Sequence, residues 1–138
     1  MLAAATIILA AWIDHQGMPP KDAIRFDEVT LQEALARAEA ENKLVFVDVY
    51  ASWCGPCKQL KRTTFADPAT AALFNKTFVN LAVNGEKGDG PELMALYEVH
   101  AYPTLLFLRA NGEVVERVVG YHSAEQLLKI AGKIIEKS

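Results

Sequence analysis

The sequence predicts an α/β domain: a mixed, mostly parallel central sheet of four strands, with an antiparallel C-terminal hairpin and helices on both faces. Three observations carry this expectation. Helical and extended segments alternate along most of the chain, and in a small domain such alternation implies crossovers between parallel strands. The run Leu44–Tyr50 is apolar on both faces except at Asp48, as a central strand covered on both sides would be. Ala110-Asn111-Gly112 joins two further strand-like runs, and Asn-Gly between such runs is a strong hairpin signal.

Taken in order, Met1–Ile13 carries no charge and is nearly all apolar. It suits the hydrophobic region of a secretory signal and is too short for an ordinary spanning helix. It lacks a positive leading region, and Leu9-Ala10-Ala11 is only a fair cleavage motif. Gly17, Pro19 and Pro20 mark the stretch after it as a linker. The expected division is therefore residues 1–22 as signal-like segment and linker, and residues 23–138 as one folded domain. Thr30-Leu31-Gln32-Glu33 has capping-box spacing and opens a helix to about Glu41. The strand Leu44–Tyr50 follows, then good helix formers from Cys54 to Arg62. Asp67-Pro68 supplies an N-cap and a first-turn proline, so residues 69–75 form a short helix before a strand at 77–83. A glycine-rich loop, 84–90, leads to a helix that opens at Pro91 and runs to about Tyr97. Strands at 104–109 and 113–119 form the hairpin. Ser123–Gln126 again has capping-box spacing, and Leu127, Leu128, Ile130, Ala131, Ile134 and Ile135 give the last helix its apolar face.

Of the 138 residues 51% are hydrophobic, enough to bury a core without disulfide staples. Fourteen basic against seventeen acidic residues leave a net charge of −3, with the basic ones scattered, which excludes a nucleic-acid partner. The chain has two cysteines, Cys54 and Cys57. A bridge between them closes a tiny loop and constrains the unfolded chain little, so the pair is chemical rather than structural. Cys54 follows a core strand and sits at a helix N-terminus, where unpaired N–H groups and the positive dipole end favour thiolate. It is the expected accessible nucleophile. Cys57, one turn on, resolves the mixed disulfide that Cys54 forms with a substrate. Pro56 removes a backbone donor the helix does not use there, and Gly55 lets a partner chain approach. The rival reading, half a zinc site, needs two more ligands, and His15, His100 and His122 lack ligand spacing. Trp53 either covers the site as an apolar contact surface or is a core aromatic. Loop 84–90 lacks the Gly-Lys-Ser/Thr ending of a phosphate loop, and Glu86 and Asp89 fit no EF-hand spacing, so it reads as a surface loop. Lys58, Lys61 and Arg62 either lower the Cys54 pKa or form a solvated helix face.

The run from Asp48 to Lys58, containing Trp53-Cys54-Gly55-Pro56-Cys57, resembles the active-site strand and helix start of the thioredoxin superfamily. The resemblance extends from about Phe26 to the C-terminus. It takes in Tyr102-Pro103-Thr104, which looks like the family's cis-proline site, and Gly120. Thr64-Phe65-Ala66-Asp67-Pro68 is similar to thioredoxin-fold domains that bacteria export, including the C-terminal domain of the transmembrane thiol transporter and its small periplasmic relatives. What the resemblance implies is a thioredoxin fold and a protein-disulfide oxidoreductase. Gly-Pro between the cysteines resembles its reducing members. It implies no cofactor beyond the redox-active Cys54–Cys57 disulfide, protein disulfide substrates and an electron donor as partners, and a monomer without a stable membrane span. A periplasmic or otherwise exported location is expected, with the cytoplasm as alternative.

The resemblance also gives Asp48 a role, accepting or relaying the proton of the resolving thiol; the plain alternative is a strand-end aspartate in solvent. It makes Pro103 cis, leaving the Tyr102 backbone free to pair with a substrate segment beside Cys54, so that Tyr102 influences substrate choice. The alternative is a trans proline that starts a strand. Two positions depart from the family pattern. The lysine that neighbours the buried aspartate aligns with Asn80, and a strand-end aspartate aligns with Asn84. Without a cation beside it, Asp48 is expected to feel desolvation more strongly. Competing functions are a disulfide isomerase and a non-catalytic binding or chaperone module, the latter disfavoured by the presence of both cysteines.

Overall fold

The computed structural model describes residues 23–138, so the signal-like segment and linker expected over residues 1–22 lie outside the described residues. Helix α1, Leu31–Glu41, starts where Thr30 Oγ1 accepts the Glu33 N–H at 3.1 Å. The Glu33 carboxylate takes the Thr30 hydroxyl rather than its backbone N–H, so only half of the expected capping box forms. The helix ends at Asn42, left-handed at φ 55°, a conformation asparagine tolerates. Strand β1 is Leu44–Tyr50 and helix α2 Gly55–Arg62. Helix α3, Pro68–Thr77, is capped by Asp67 accepting from the Thr70 N–H, and β2, Phe78–Asn84, follows at once. Then come α4, Gly90–Leu96, β3, Thr104–Leu108, β4, Val114–Val119, and α5, Ala124–Lys137, which opens on a complete capping box between Ser123 and Gln126.

The sheet order is β2-β1-β3-β4. β1 pairs parallel with β2, but antiparallel with β3, and β3 pairs antiparallel with β4. The mixed sheet and the hairpin are as expected, with Gly112 of the turn at φ +90°; the expectation of a mostly parallel sheet is corrected, since one pair of three is parallel. The reason is the length of α4. Its seven residues span about 10 Å, whereas a seven-residue strand spans about 23 Å, so α4 does not carry the chain back along the sheet. The chain leaves β2 at Asn84, beside Tyr50, and enters β3 at Thr104, beside Val49. Residues 84–104 therefore form an arch with both feet on the C-terminal end of β1, the end from which the cysteine motif also departs.

Alternation along β1 divides the core. One face packs Phe46 with Phe65, Phe74, Phe78 and Phe107 under α2, α3 and α5, with Phe46 edge-on to Phe74 at 4.8 Å. The other packs Val45, Val47, Val49, Val79, Leu81, Leu106 and Leu108 under α1 and α4. Helices cover both faces, as the two-sided apolar run of β1 requires.

Candidate active site

After β1 the chain turns through Ala51-Ser52-Trp53, and Cys54 becomes the N-cap of α2, extended at φ −77°, ψ 113°. Its Sγ accepts the Cys57 N–H at 3.2 Å, satisfying one of the free donors at the helix start, and Pro56 removes another. Cys54 and Cys57 are joined in a disulfide, their Cα atoms 5.3 Å apart. A side chain at Gly55 would meet no atom within 4 Å, so the space beside the pair is open. The cysteines themselves are covered. Cys54 is 3% and Cys57 7% exposed, packed with Ala51, Tyr50 and Tyr102, which corrects the expectation of an accessible Cys54 in this oxidised form. Tyr102 from the arch packs against the bonded pair.

Trp53 is 66% exposed and so is not a core aromatic. Its ring stands edge-on to Tyr102 at 5.7 Å, and its Nε1–H donates to Glu86 Oε1 at 2.9 Å. The Tyr102–Pro103 bond is cis, and the Tyr102 N–H and C=O have no partner among the described residues. The Tyr102 hydroxyl donates to Met94 Sδ at 3.0 Å; burial pushes its phenol pKa up, and the Glu86 carboxylate adds to the effect. The arch thus brings Tyr102, Pro103 and Glu86 to the cysteine motif, which lies far from them in sequence.

Asp48 is 8% exposed in the aromatic face, which excludes a solvent-facing carboxylate. Its Oδ1 has no hydrogen-bond partner among the described residues, and burial pushes its pKa up from 3.8 to about 7. The expectation that it has no cation nearby is corrected: Lys61 on α2 opposes the shift through its charge. Lys61 stands one turn after Cys57, so helical spacing puts thiol and cation on the same side of α2. Asn80 shares the face of Asp48, opposite Phe46 two residues along the register, but its amide donates to the Phe74 carbonyl and its Oδ1 has no partner. Asn84 shapes the arch instead, its Oδ1 accepting the Glu86 N–H at 3.0 Å.

Sequence reasoning missed the charge effect of Lys61 on Asp48 and the contact of Glu86 with Trp53. Lys61 was legible in principle from the four-residue spacing to Cys57. Glu86 had no local signal, because its contact with Trp53 spans 33 residues and depends on how the arch folds back. Chemically, a cysteine pair at a helix start, beside an unpaired backbone segment and above a carboxyl poised near neutrality, is equipped for thiol–disulfide exchange.

Comparison with known proteins agrees with this chemistry. The thioredoxin-like domain family matches residues 31–135. The thiol:disulfide interchange protein DsbD of Tatumella citrea is 37% identical over 101 residues, covering 71% of this chain and 17% of that protein. The chain thus spans less than a fifth of the length of the curated relatives it matches. Among solved structures, a candidate disulphide-isomerase from Bacteroides thetaiotaomicron is 51% identical, with a TM-score of 0.74, covering 85% of this chain and 97% of that one. A thioredoxin from Thermus thermophilus is 28% identical, with a TM-score of 0.72, covering 82% of this chain and 88% of that one. With the family match reaching from the start of α1 into the last turn of α5, the chain belongs to the thioredoxin-like domain family.

Proposed function

We propose that this chain is a protein-disulfide oxidoreductase that works as a reductant on protein substrates, through Cys54 as nucleophile and Cys57 as resolver. The observation that carries the reading is the N-cap geometry of Cys54, whose sulfur takes the Cys57 N–H. In the reduced form that donor and the helix dipole stabilise the Cys54 thiolate. The thiolate attacks a substrate disulfide, forming a Cys54–substrate disulfide and releasing one substrate thiolate. Cys57 then attacks the Cys54 sulfur and releases the second. Its proton passes to Asp48, whose raised pKa lets it take a proton near neutrality and return it. Two electrons and two protons reach the substrate, the Cys54–Cys57 disulfide forms, and an external electron donor restores the dithiol. No cofactor beyond that disulfide enters the scheme.

Trp53, Gly55, Pro56, Tyr102 and Pro103 form the substrate-binding surface: the open space at Gly55 and the unpaired Tyr102 backbone admit an extended segment as a short added strand. Export from the cytoplasm fits the apolar run Met1–Ile13 and the likeness to DsbD, and among the described residues no helix is long and apolar enough to cross a membrane. Fractionation of the producing cell tests the location.

Insulin reduction with dithiothreitol tests the function. Turnover well above dithiothreitol alone is expected, and its absence would favour a non-catalytic binding module. A second reading, disulfide isomerase, is favoured by the 51% identity to the candidate isomerase. Reactivation of scrambled ribonuclease outpacing insulin reduction would select it.

A further inference from the structure

Loop 84–90, read from sequence as plain surface, is built into the rim of the site. Its first foot is fixed by the Gly85 N–H donating to the Tyr50 carbonyl at 2.8 Å and by the Glu86 N–H donating to Asn84 Oδ1. Its far end is closed by the Gly90 N–H donating to the Lys87 carbonyl at 2.9 Å. Packing against backbone requires Gly90, and side chains crowd Gly85. A Cβ at Gly85 would run into Met94 Sδ and the Tyr102 ring, and one at Gly90 into the Asn84 carbonyl. What this fixed loop presents is the Glu86 carboxylate. One oxygen holds the Trp53 indole; among the described residues the other has no hydrogen bond, and the carboxylate forms no ion pair. The cations nearest the cysteines in sequence, Lys58 and Lys61, belong to α2, whereas Glu86 belongs to the arch.

We propose that Glu86 is a specificity-determining residue that selects disulfide-bearing segments with a Lys or Arg beside the reacting cysteine and turns away acidic ones. The proposal rests on the exchange function above and names the substrate class of the same site. An exposed indole with a carboxylate at its edge is complementary to a long basic side chain. The aliphatic stem and cation lie over the Trp53 face, and the charged end reaches the free Glu86 oxygen. An acidic side chain there meets like charge. Because the rim is open to water, discrimination of about fivefold is expected rather than all-or-none selection.

The test uses the Cys57→Ser chain and two disulfide-bearing peptides that differ only in having Lys or Glu before the cysteine. Cys54 thiolate attacks the peptide disulfide, the Cys54–peptide bond forms, and the other thiolate leaves and is counted. The Lys peptide should react about fivefold faster at low salt. Adding Glu86→Gln, which keeps an oxygen acceptor for Trp53 and removes the charge, should level the two rates, and Glu86→Lys should invert them. Equal rates with Glu86 in place, or a preference that survives Glu86→Gln, overturns the proposal while exchange itself stands. Reaction with neither peptide overturns the exchange reading, and the proposal with it.

Discussion

The two faces of the sheet solve different problems with the same strand. Behind β1, the aliphatic face is lined by valine and leucine, and its one fully buried polar side chain, Thr104, is satisfied by donating to the Ala101 carbonyl. The aromatic face is built from larger groups yet holds both unpartnered buried polar atoms among the described residues, Asp48 Oδ1 and Asn80 Oδ1. A buried polar atom without a partner costs roughly 1–3 kcal/mol, so this face gives up stability that the other keeps. The carboxyl lies on the side covered by α2, the helix that carries Cys57. The difference teaches that the aromatic face tolerates a buried, unpaired carboxyl with a raised pKa, whereas the opposite face leaves no buried side-chain polar atom unsatisfied among the described residues.

Breaking the aromatic cluster should have the largest effect. Phe46→Ala removes the ring that contacts Phe74 and Phe107, and chemical denaturation should show a loss of about 3–5 kcal/mol.

Asp48→Asn should act in the opposite direction. Between about pH 4 and pH 7 the folded chain keeps a proton on Asp48 that the unfolded chain has released. The fold therefore carries no ionisation penalty from Asp48 below about pH 4, and stability falls as pH rises toward about 7, by about 4 kcal/mol in total at about 1.4 kcal/mol per pH unit. The asparagine variant should lose this slope in denaturation measured across pH. It should be the more stable protein above pH 7, and should accumulate mixed disulfide because Cys57 attack slows. A slope that persists would place the titration elsewhere.

On the other face, Val47→Thr should cost about 1–3 kcal/mol, since a hydroxyl there is fully buried in an apolar cluster. A cost near zero would mean that the two faces tolerate polarity alike. The smallest effect should come from Lys61→Met, which removes the charge that opposes burial of Asp48. The carbon-13 titration midpoint of the Asp48 carboxyl should move upward, and a downward move would contradict the charge effect.

Much of the fold was legible because its signals are local. Thr30, Asp67 and Ser123 accept the N–H three residues on, as their spacing predicts, and Gly112 takes the positive φ that the hairpin turn requires. Cys54 stands at its helix start for the same local reason. The reversal of β3 was not legible, since alternating helix and strand shows that a connection exists but not whether it returns the chain along the sheet. The same lack of long-range information hid Glu86. Asp48 stood out as an anomaly in an apolar run, yet the charge acting on it could not be read by aligning one strand position, because the cation comes from α2 rather than β2.

The arch over residues 84–104 behaves as a cassette hinged at one edge. Because both hinges meet the same end of β1, an arch that keeps apolar residues at Leu93 and Val99 for the core can replace it without altering the pairing of β2 or β3 with β1. Grafting the arch of another thioredoxin-like domain onto this sheet should therefore shift substrate preference through the positions of Tyr102 and Glu86, while Trp53, Gly55 and Pro56 stay with the cysteine motif, so recognition is divided between an exchangeable half and a fixed one.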